Sequence, residues 1–481
     1  MKRMMVGIWL LACAAAAPGG ENLLKNPSFE DWKDAAPAGW TIAKGAGAPE
    51  GTESAVRQGA DGGLALSGGG ETRVWRIVSQ EVPARRDGFY RLTFEARATG
   101  LRLDANQFDN AWVGLRAAGK DEKSPRMSIE TIVSAEWTAS EVVLSRPAAD
   151  TLTVAAFLSK TGTLEVRRLV LEELRPGDSF DLLSRRVGRT YSYLDLKKLD
   201  WPAISARHRE RFAAAKDEDA FVAAAKEMLG ELKDLHVTIR RSDGRVEGTY
   251  VAGVKRNYDF KAVAAELKGF EQIGKVAFAG TTADGYGYVT IGTLQFDDAT
   301  LARIVAAIES RLNAPGFLLD LRANGGGDER RALEIASIFA DKERVYALSR
   351  FRNGPDPADL SAPFERKVGP RKARTFTKPV VCLIGPGCVS SGEGFVKMLK
   401  AQPHVTLVGQ PTRGASGNPQ PVELPNGVTV FLSTWVDLLP DGTVTEGTGI
   451  APEVVVEHEG DGDPTFQAGV RVLRKKIDDE E

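Results

Sequence analysis

The chain has 481 residues, a length that suits two or three domains, and 42% of its residues are hydrophobic, which is enough for sizeable cores. Its 63 basic and 65 acidic residues nearly cancel, which argues against nucleic acid or an anionic membrane surface as a partner. The three cysteines, Cys13, Cys382 and Cys388, are too few for a disulfide scaffold, although a bond between the last two stays open.

Residues 1–20 have the pattern of an export signal. Lys2 and Arg3 give a basic start, an apolar run follows, and alanines at 14–17 suit cleavage. The apolar run is too short to span a membrane. The Leu-Leu-Ala-Cys run that ends at Cys13 also resembles a bacterial lipoprotein signal, so a lipid anchor is the alternative. Both interpretations predict an exported protein, located in the periplasm, in the cell envelope or outside the cell.

Residues 21–175 carry short strand-like runs separated by Gly and Pro, which predicts an all-β sandwich. The opening Asn-Leu-Leu at 22–24, with Asn-Pro at 26–27 and Trp at 32 and 40, resembles the start of jelly-roll carbohydrate-binding modules. The resemblance implies aromatic side chains that stack on sugars and a structural calcium. The candidates are Trp75, Trp112 and Trp137 for sugar, and Glu30 for calcium. A role of these tryptophans in the core, and a domain that binds no sugar, stay open.

Residues 176–245 are predicted to be helical. One helix begins at a Trp-Pro pair at 201–202, and a second has apolar residues at helical spacing up to about residue 235. His236 follows, where the helix gives way to a strand. A histidine at a helix C-terminus is favoured by the helix dipole, so its position alone does not require a function. We expect the other histidines, His208, His404 and His458, to be solvated.

Residues 246–481 are predicted to form an α/β domain. Residues 288–321 have the pattern of a β-α-β unit, and the apolar run at 380–384 is typical of a strand buried on both faces. The basic, proline-containing segment 346–376 is predicted to be a surface loop over the site. Strands are expected at 428–432 and 454–456, before a last helix that begins at Asp463-Pro464.

Ser390 stands where a helix is predicted to begin, just after the buried strand 380–384. A serine in this position can act as a nucleophile, because the free N–H groups of the first helical turn can bind a developing oxyanion. The alternative is that Ser390 or Ser391 only caps the helix.

Four motifs resemble those of the C-terminal-processing and tricorn-core serine peptidases, in the same order along the chain. They are Asp-Leu-Arg-x-Asn-x-Gly-Gly from residue 320, Ser-x-Gly-Glu from 390, Val-Gly-x-x-Thr-x-Gly from 408, and Glu-Gly-x-Gly-x-x-Pro from 446. The resemblance covers a little under half of the chain. It implies an α/β fold of the crotonase/Clp-protease-like type and hydrolysis of peptide bonds with no cofactor. Many relatives insert a PDZ module near residues 246–286, but this segment is too short for a complete one.

The resemblance also assigns roles to residues of the motifs. Ser390, three places before the glutamate of Ser-x-x-Glu, takes the place of the nucleophile. The main-chain N–H groups of Ser391 and Gly326 take the place of the oxyanion hole.

The base of the processing-peptidase branch is a lysine, and Ala415 stands at its place here. The tricorn-like branch uses a histidine and a late glutamate instead, which match His236 and Glu446. Leu235 replaces the serine that links those two residues in that branch, so the link must be direct, through water, or through another hydroxyl such as that of Thr238. An exposed turn is the alternative for Glu446. The two lysines of the helix after the nucleophile, Lys397 and Lys400, are expected to be solvated.

These observations together predict an exported serine endopeptidase that acts on a peptide or protein substrate through Ser390, with neither a metal nor nucleic acid involved. Two alternatives come from other functional classes. One is an inactive peptidase-fold protein that only binds ligands. The other is a glycan-binding protein, with a polysaccharide as partner, to which the peptidase domain is accessory.

Overall fold

The computed structural model describes residues 21–45, 55–68, 75–101, 110–117, 126–159, 161–354, 356–457 and 462–479. The predicted export signal with Cys13, and also His458, lie outside these residues. The chain is multidomain and rich in β-structure, as predicted, and it divides into two compact units between Ser179 and Phe180. In the described ranges we find no helix that combines the length and the apolar character needed to cross a bilayer.

The N-terminal unit consists of strands in two five-stranded antiparallel sheets and one short hairpin. The strands are β1 (Trp32–Lys33), β2 (Ala36–Pro37), β3 (Thr41–Lys44), β4 (Val56–Gln58), β5 (Leu64–Gly68), β6 (Trp75–Pro83), β7 (Phe89–Thr99), β8 (Trp112–Ala117), β9 (Arg126–Thr131), β10 (Thr138–Ser145), β11 (Thr151–Ser159) and β12 (Gly162–Glu173). The sheet orders are β10-β7-β12-β5-β4 and β3-β6-β11-β8-β9. One apolar core contains side chains from both sheets, because alternate residues of each long strand are hydrophobic.

The tryptophans suggested for sugar binding already have packing partners. Trp112 is only 6% exposed and stacks on Phe157 with ring centroids 4.9 Å apart. Guanidinium groups of Arg97 and Arg167 lie 4.6 and 3.9 Å from the ring centre of Trp137. These contacts favour a packing role for both residues.

The calcium site suggested at Glu30 finds no support in the structure. The Glu30 residue is exposed. Throughout the part of the chain that the structure describes, no group of three or more His, Cys, Asp or Glu side chains could hold a metal ion.

The C-terminal unit begins with three helices and continues as a mixture of strands and helices. Its elements, after a short 3-10 turn at Pro176–Asp178, are α1 (Ser179–Thr190), α2 (Trp201–Ala213), α3 (Glu218–Gly230), β13 (Thr238–Arg240), β14 (Val246–Gly248), α4 (Phe260–Ala265), β15 (Lys268–Ile273), β16 (Ala277–Thr281), β17 (Gly287–Ile291), α5 (Asp298–Glu309), β18 (Phe317–Asp320), α6 (Glu329–Ala336), β19 (Arg344–Phe351), β20 (Phe364–Val368), β21 (Val380–Ile384), α7 (Ser391–Lys400), β22 (Val405–Gly409), β23 (Pro419–Glu423), β24 (Thr429–Ser433), β25 (Trp435–Leu438), β26 (Val454–Val455) and α8 (Pro464–Asp478).

A seven-stranded sheet in the order β15-β16-β17-β18-β21-β22-β26 forms the centre of this unit. Neighbouring strands from β17 to β26 run parallel, and β17-α5-β18 is the predicted β-α-β unit. Since parallel strands end at the same edge of a sheet, the glycine-rich turn after β18 and the beginning of α7 after β21 lie side by side. Cys382 and Cys388 are buried free thiols, so the disulfide left open by the sequence does not form.

Two strand predictions need correction. Residues 346–376 contain most of β19 and all of β20, and β19 pairs with both β20 and β25 in a three-stranded sheet, so this segment is not simply a surface loop. The strand predicted at 428–432 is β24, but it joins β14, β13 and β23 in a separate four-stranded sheet. Both pairings join residues far apart in sequence, which local patterns do not report.

A buried ion cluster connects the end of β18 to α8. The fully buried Arg322 pairs with Asp320 at 2.5 Å and with Asp463 at 2.6 Å. Asp463 also caps α8 by accepting the N–H of Phe466 at 2.9 Å. The arginine of the Asp-Leu-Arg motif is therefore structural, since it holds the base of the turn that leads to the site.

Replacing Asp463 by alanine is expected to destabilise the C-terminal unit by about 3–5 kcal/mol, because it removes one of the two carboxylates that pair with the buried Arg322, and also the cap of α8. Asp284→Ala is the matched control, since it breaks the exposed pair of Asp284 with Arg474. It should cost at most about 1 kcal/mol. Urea unfolding followed by circular dichroism measures both. Equal losses in the two variants would contradict the structural role given to this cluster.

Candidate active site

Ser390 immediately precedes α7 and has an unusual backbone conformation, with φ of +62° and ψ of −132°. A residue with a side chain adopts it at a cost of about 1–3 kcal/mol. Two hydrogen bonds hold the turn: the Ser390 N–H donates to the Ala415 carbonyl at 2.8 Å, and the Val389 N–H donates to the Asn324 carbonyl at 3.0 Å. The Ser390 side chain makes no capping hydrogen bond to the helix. The interpretation of Ser390 as a simple cap is therefore wrong.

The glycine-rich turn after β18 packs directly against this serine. A Cβ atom at Gly326 would lie 2.8 Å from the Ser390 Cβ and 3.2 Å from the Ser391 nitrogen, so only glycine fits. The Gly326 N–H, however, donates to the Asn324 side chain at 2.9 Å. This contact conflicts with the prediction that Gly326 donates to an oxyanion.

The N–H of Gly327 has no acceptor among the described residues, and the Gly327 carbonyl accepts the Ser391 hydroxyl at 2.7 Å. The N–H of Ser391 lies in the first turn of α7, where helical N–H groups have no acceptor within the helix. These two N–H groups are therefore available to a ligand beside Ser390.

His236 lines the same cavity as Ser390, a cleft of about 970 Å³ that also contains Gly327, Ser391 and Trp435. It lies between α3 and β13, and its side chain is 11% exposed. Burial lowers the pKa of His236 below its usual 6.5, and the nearby Asp234 carboxylate only partly opposes this shift. The imidazole is therefore neutral at neutral pH, which is the form that can accept a proton.

Asp234 is the carboxylate beside His236, and no role was predicted for it. Its Oδ1 accepts the His236 main-chain N–H at 2.8 Å and lies 3.9 Å from the imidazole Nδ1. The other oxygen accepts the hydroxyls of Tyr191 at 3.0 Å and Ser433 at 2.8 Å. The Nδ1 atom is buried and has no hydrogen-bond partner in the described ranges. The Leu-x-Asp-x-His pattern was the signal that could have identified Asp234.

Glu446 is buried, with a side chain only 5% exposed, so its interpretation as an exposed turn residue is wrong. It pairs with the Lys197 ammonium at 2.8 Å, and the described contacts include none between Glu446 and His236. Lys197 in turn donates to the Tyr191 hydroxyl at 3.2 Å. The chain of hydrogen bonds from Glu446 to the Asp234 carboxylate therefore passes through Lys197 and Tyr191. Burial raises the pKa of Glu446 to about 7, and the Asp234 charge adds to this shift.

Glu393, the acidic residue of the Ser-x-x-Glu motif, holds the loop that supports Ser390. One oxygen accepts the Thr412 hydroxyl and the Gly414 N–H, and the other accepts the Ala415 N–H at 2.8 Å. Burial raises the pKa of Glu393 to about 7, although these donors oppose the shift. Since the Ala415 carbonyl accepts the Ser390 N–H, Glu393 fixes the backbone of the serine through this loop.

The two lysines of α7, Lys397 and Lys400, do not line the cavity. Lys397 is buried and forms an ion pair with Asp437, so the prediction that it is solvated is wrong. Lys400 is exposed, as predicted, and pairs with Glu453 at 3.0 Å.

The other described histidines are also less exposed than expected. The His208 side chain is 12% exposed and lies 2.7 Å from Glu231. His404 is only partly exposed, and burial lowers its pKa. Neither residue lines the cavity that contains Ser390.

Part of the C-terminal unit is similar to known peptidases. Residues 285–456 match the model of peptidase family S41. The carboxy-terminal processing protease CtpA of Bacillus subtilis is 31% identical over 204 residues, which are 39% of this chain and 42% of that protein. The carboxy-terminal-processing protease of Bartonella bacilliformis is 29% identical over 178 residues, 36% of this chain and 39% of that protein.

The fold has a counterpart among solved structures. The crystal structure of a peptidase candidate from Parabacteroides merdae superimposes with a TM-score of 0.55 at 24% identity, and the match covers 62% of this chain and 97% of that one. The chain spans less than half the length of the two curated relatives. The resemblance to C-terminal-processing peptidases is thereby confirmed, and it is carried by the stretch of the C-terminal unit that matches the S41 model. His236 lies outside the matched residues.

Proposed function

We propose that the protein is a serine endopeptidase that hydrolyses peptide bonds through an acyl-enzyme on Ser390. The observation that carries this proposal is the uncapped Ser390, held in a strained turn at the beginning of a helix, in a cleft that also contains a neutral histidine. Such a turn presents a hydroxyl to the substrate beside free N–H groups. Serine peptidase chemistry requires this combination of nucleophile, base and oxyanion donors.

His236 acts as the general base. Its Nδ1 is buried near Asp234, which leaves Nε2 as the nitrogen for the proton transfer. Nε2 takes the proton of Ser390 as the hydroxyl attacks the substrate carbonyl, and then gives it to the leaving amine. The Asp234 carboxylate lies 3.9 Å from Nδ1 and stabilises the imidazolium by its charge. Glu446 pairs with Lys197, which donates to the Tyr191 hydroxyl that is bound to Asp234.

The main-chain N–H groups of Ser391 and Gly327 bind the oxyanion of the tetrahedral intermediate. Gly327 replaces Gly326 in this role, because the Gly326 N–H is held by Asn324. By analogy with a measured serine protease, one such donor lowers the barrier by about 2.7–4 kcal/mol. Water then attacks the acyl-enzyme, with His236 again as the base.

The mechanism is that of the tricorn-like branch, which uses a histidine base and no catalytic lysine. Its support is the buried Ala415 at the place of that lysine and the position of Lys397 outside the cleft. We further propose that the protein is exported, and that the N-terminal unit is a jelly-roll domain related to carbohydrate-binding modules. The same proposal includes a lipid anchor at Cys13 and a polysaccharide as the partner of the N-terminal unit.

Hydrolysis of an unstructured protein tests the function. The full chain should cleave denatured casein, and mass spectrometry should detect new peptide termini. A metal chelator should leave the rate unchanged, since the mechanism uses no metal, and a serine-reactive phosphonate should abolish it. A folded protein that releases no peptide would instead favour the alternative of a peptidase fold that only binds ligands.

A further inference from the structure

The cleft that contains Ser390 is also lined by two arginines, Arg256 and Arg413. Arg256 is exposed in the segment between β14 and α4, and Arg413 lies in the loop between β22 and β23. A guanidinium group stays protonated at any pH at which a peptidase works. The cleft therefore carries two permanent positive charges.

No carboxylate of the described residues neutralises either arginine. The Arg413 side chain donates to the main-chain carbonyl of Ala252, a neutral acceptor. The described contact of Arg256 is with the ring of Tyr258, whose centre is 5.9 Å from the guanidinium carbon. Both groups keep their capacity to bind an anion.

The acidic side chains that line the same cleft are already paired. Asp328 lies 2.7 Å from the Arg330 guanidinium, and Glu329 lies 2.8 Å from that of Arg366. The negative charges of these two carboxylates are thus neutralised by neighbouring arginines, whereas the positive charges of Arg256 and Arg413 have no carboxylate partner among the described residues. A cleft with an excess of one sign of charge attracts ligands of the opposite sign.

We propose that Arg256 and Arg413 bind a carboxylate of the substrate, which is either the C-terminal carboxylate of the peptide or an acidic side chain near the cleaved bond. The planar guanidinium forms two parallel hydrogen bonds with a carboxylate, which orients the ligand as well as attracting it. Arg413 also links the Arg256 segment to the loop that supports Ser390, through its contact with Ala252. This inference rests on the proposed function, because it specifies the substrate class of the same cleft.

Four peptides that share one sequence test the preference. The first pair differs only in a free or an amidated C-terminus, and the second pair is amidated and differs only in one internal Glu or Gln. The first pair detects recognition of the terminus and the second detects recognition of a side chain. For the wild-type protein we expect a preference of about tenfold or more in kcat/KM for the charged member of one pair.

Arg256→Gln should reduce that preference to less than about threefold, since Arg413 alone remains. Lys255→Gln is the matched control, because it removes the same charge from the neighbouring, exposed position that does not line the cleft. It should keep the full preference. The proposal would be overturned if the wild type cleaved the two members of each pair at equal rates. It would also be overturned if Arg256→Gln and Lys255→Gln changed the preference equally.

A binding measurement separates this inference from the peptidase proposal. Fluorescence anisotropy with labelled peptides on the Ser390→Ala variant reports recognition without turnover. If the wild type hydrolyses no peptide but Ser390→Ala still prefers the charged member, the carboxylate site stands and the peptidase proposal fails. If both members bind equally, or neither binds, while the wild type hydrolyses both at equal rates, the carboxylate site fails and the peptidase stands.

Discussion

Ser390→Ala is expected to lower kcat by about a million-fold, the loss measured when a serine peptidase loses its nucleophile. The reason is that no other hydroxyl in the cleft combines a strained turn, an uncapped side chain and an adjacent helix N-terminus. The variant should remain folded, because the Ser390 side chain does not cap α7 and the main-chain contact of Ser390 N–H to Ala415 is kept. Turnover of a fluorogenic peptide, together with circular dichroism, measures both effects.

Ser391→Ala is the matched control for this variant. The Ser391 hydroxyl donates only to the Gly327 carbonyl, so its loss should cost about 1 kcal/mol of stability. The Ser391 N–H, which the mechanism uses, is kept in the variant, and we expect a rate within about tenfold of the wild type. If Ser391→Ala is inactive and Ser390→Ala is active, the nucleophile is Ser391 and the assignment is wrong by one residue.

His236→Ala is expected to lower kcat by about the same factor, since nucleophile and base act as a unit. Lys400→Ala and His208→Ala should keep most of the activity, because neither side chain lines the cleft. Lys397→Ala is a poor control, since it leaves Asp437 with one buried partner fewer. Substantial activity in His236→Ala would remove the basis for a tricorn-like mechanism.

The pH dependence of the wild type tests the same base. Only the neutral imidazole accepts a proton, so kcat/KM should fall as the pH decreases through the pKa of His236. Burial lowers this pKa, so the midpoint should lie below 6.5. Glu446 and Glu393, each with a pKa of about 7, are the competing groups, and a titration of either would place the midpoint above that of His236. The fall of kcat/KM at low pH should therefore persist in Glu446→Gln. If the fall is lost in this variant, Glu446 is the group that titrates.

The sequence predicted the elements whose signals are local. The β-α-β unit is an example, because α5 has apolar residues at helical spacing between two continuous apolar strands. The neighbourhood of Ser390 and the glycine-rich turn was also accessible, because motif order and strand order together bring two strand ends to one edge of a sheet. The family match covers this part of the chain.

Contacts between distant segments could not be predicted in the same way. Lys397 looks like a surface lysine on an amphipathic helix, and only the fold shows that Asp437, forty residues later, meets it in the core. The motif could not distinguish Gly326 from Gly327, because the choice depends on which N–H the Asn324 side chain accepts. Asp234 was overlooked because the resemblance directed attention to Glu446, which in the structure pairs with Lys197.

Reaction with a fluorophosphonate probe tests the central claim most directly. The probe forms a covalent bond only with a serine activated by a base and an oxyanion hole, and mass spectrometry of the digested protein identifies the residue. We predict one adduct, on Ser390, which is lost in His236→Ala and retained in Lys400→Ala. A folded protein that remains unlabelled, or that is labelled at Ser391 or elsewhere, would contradict the account.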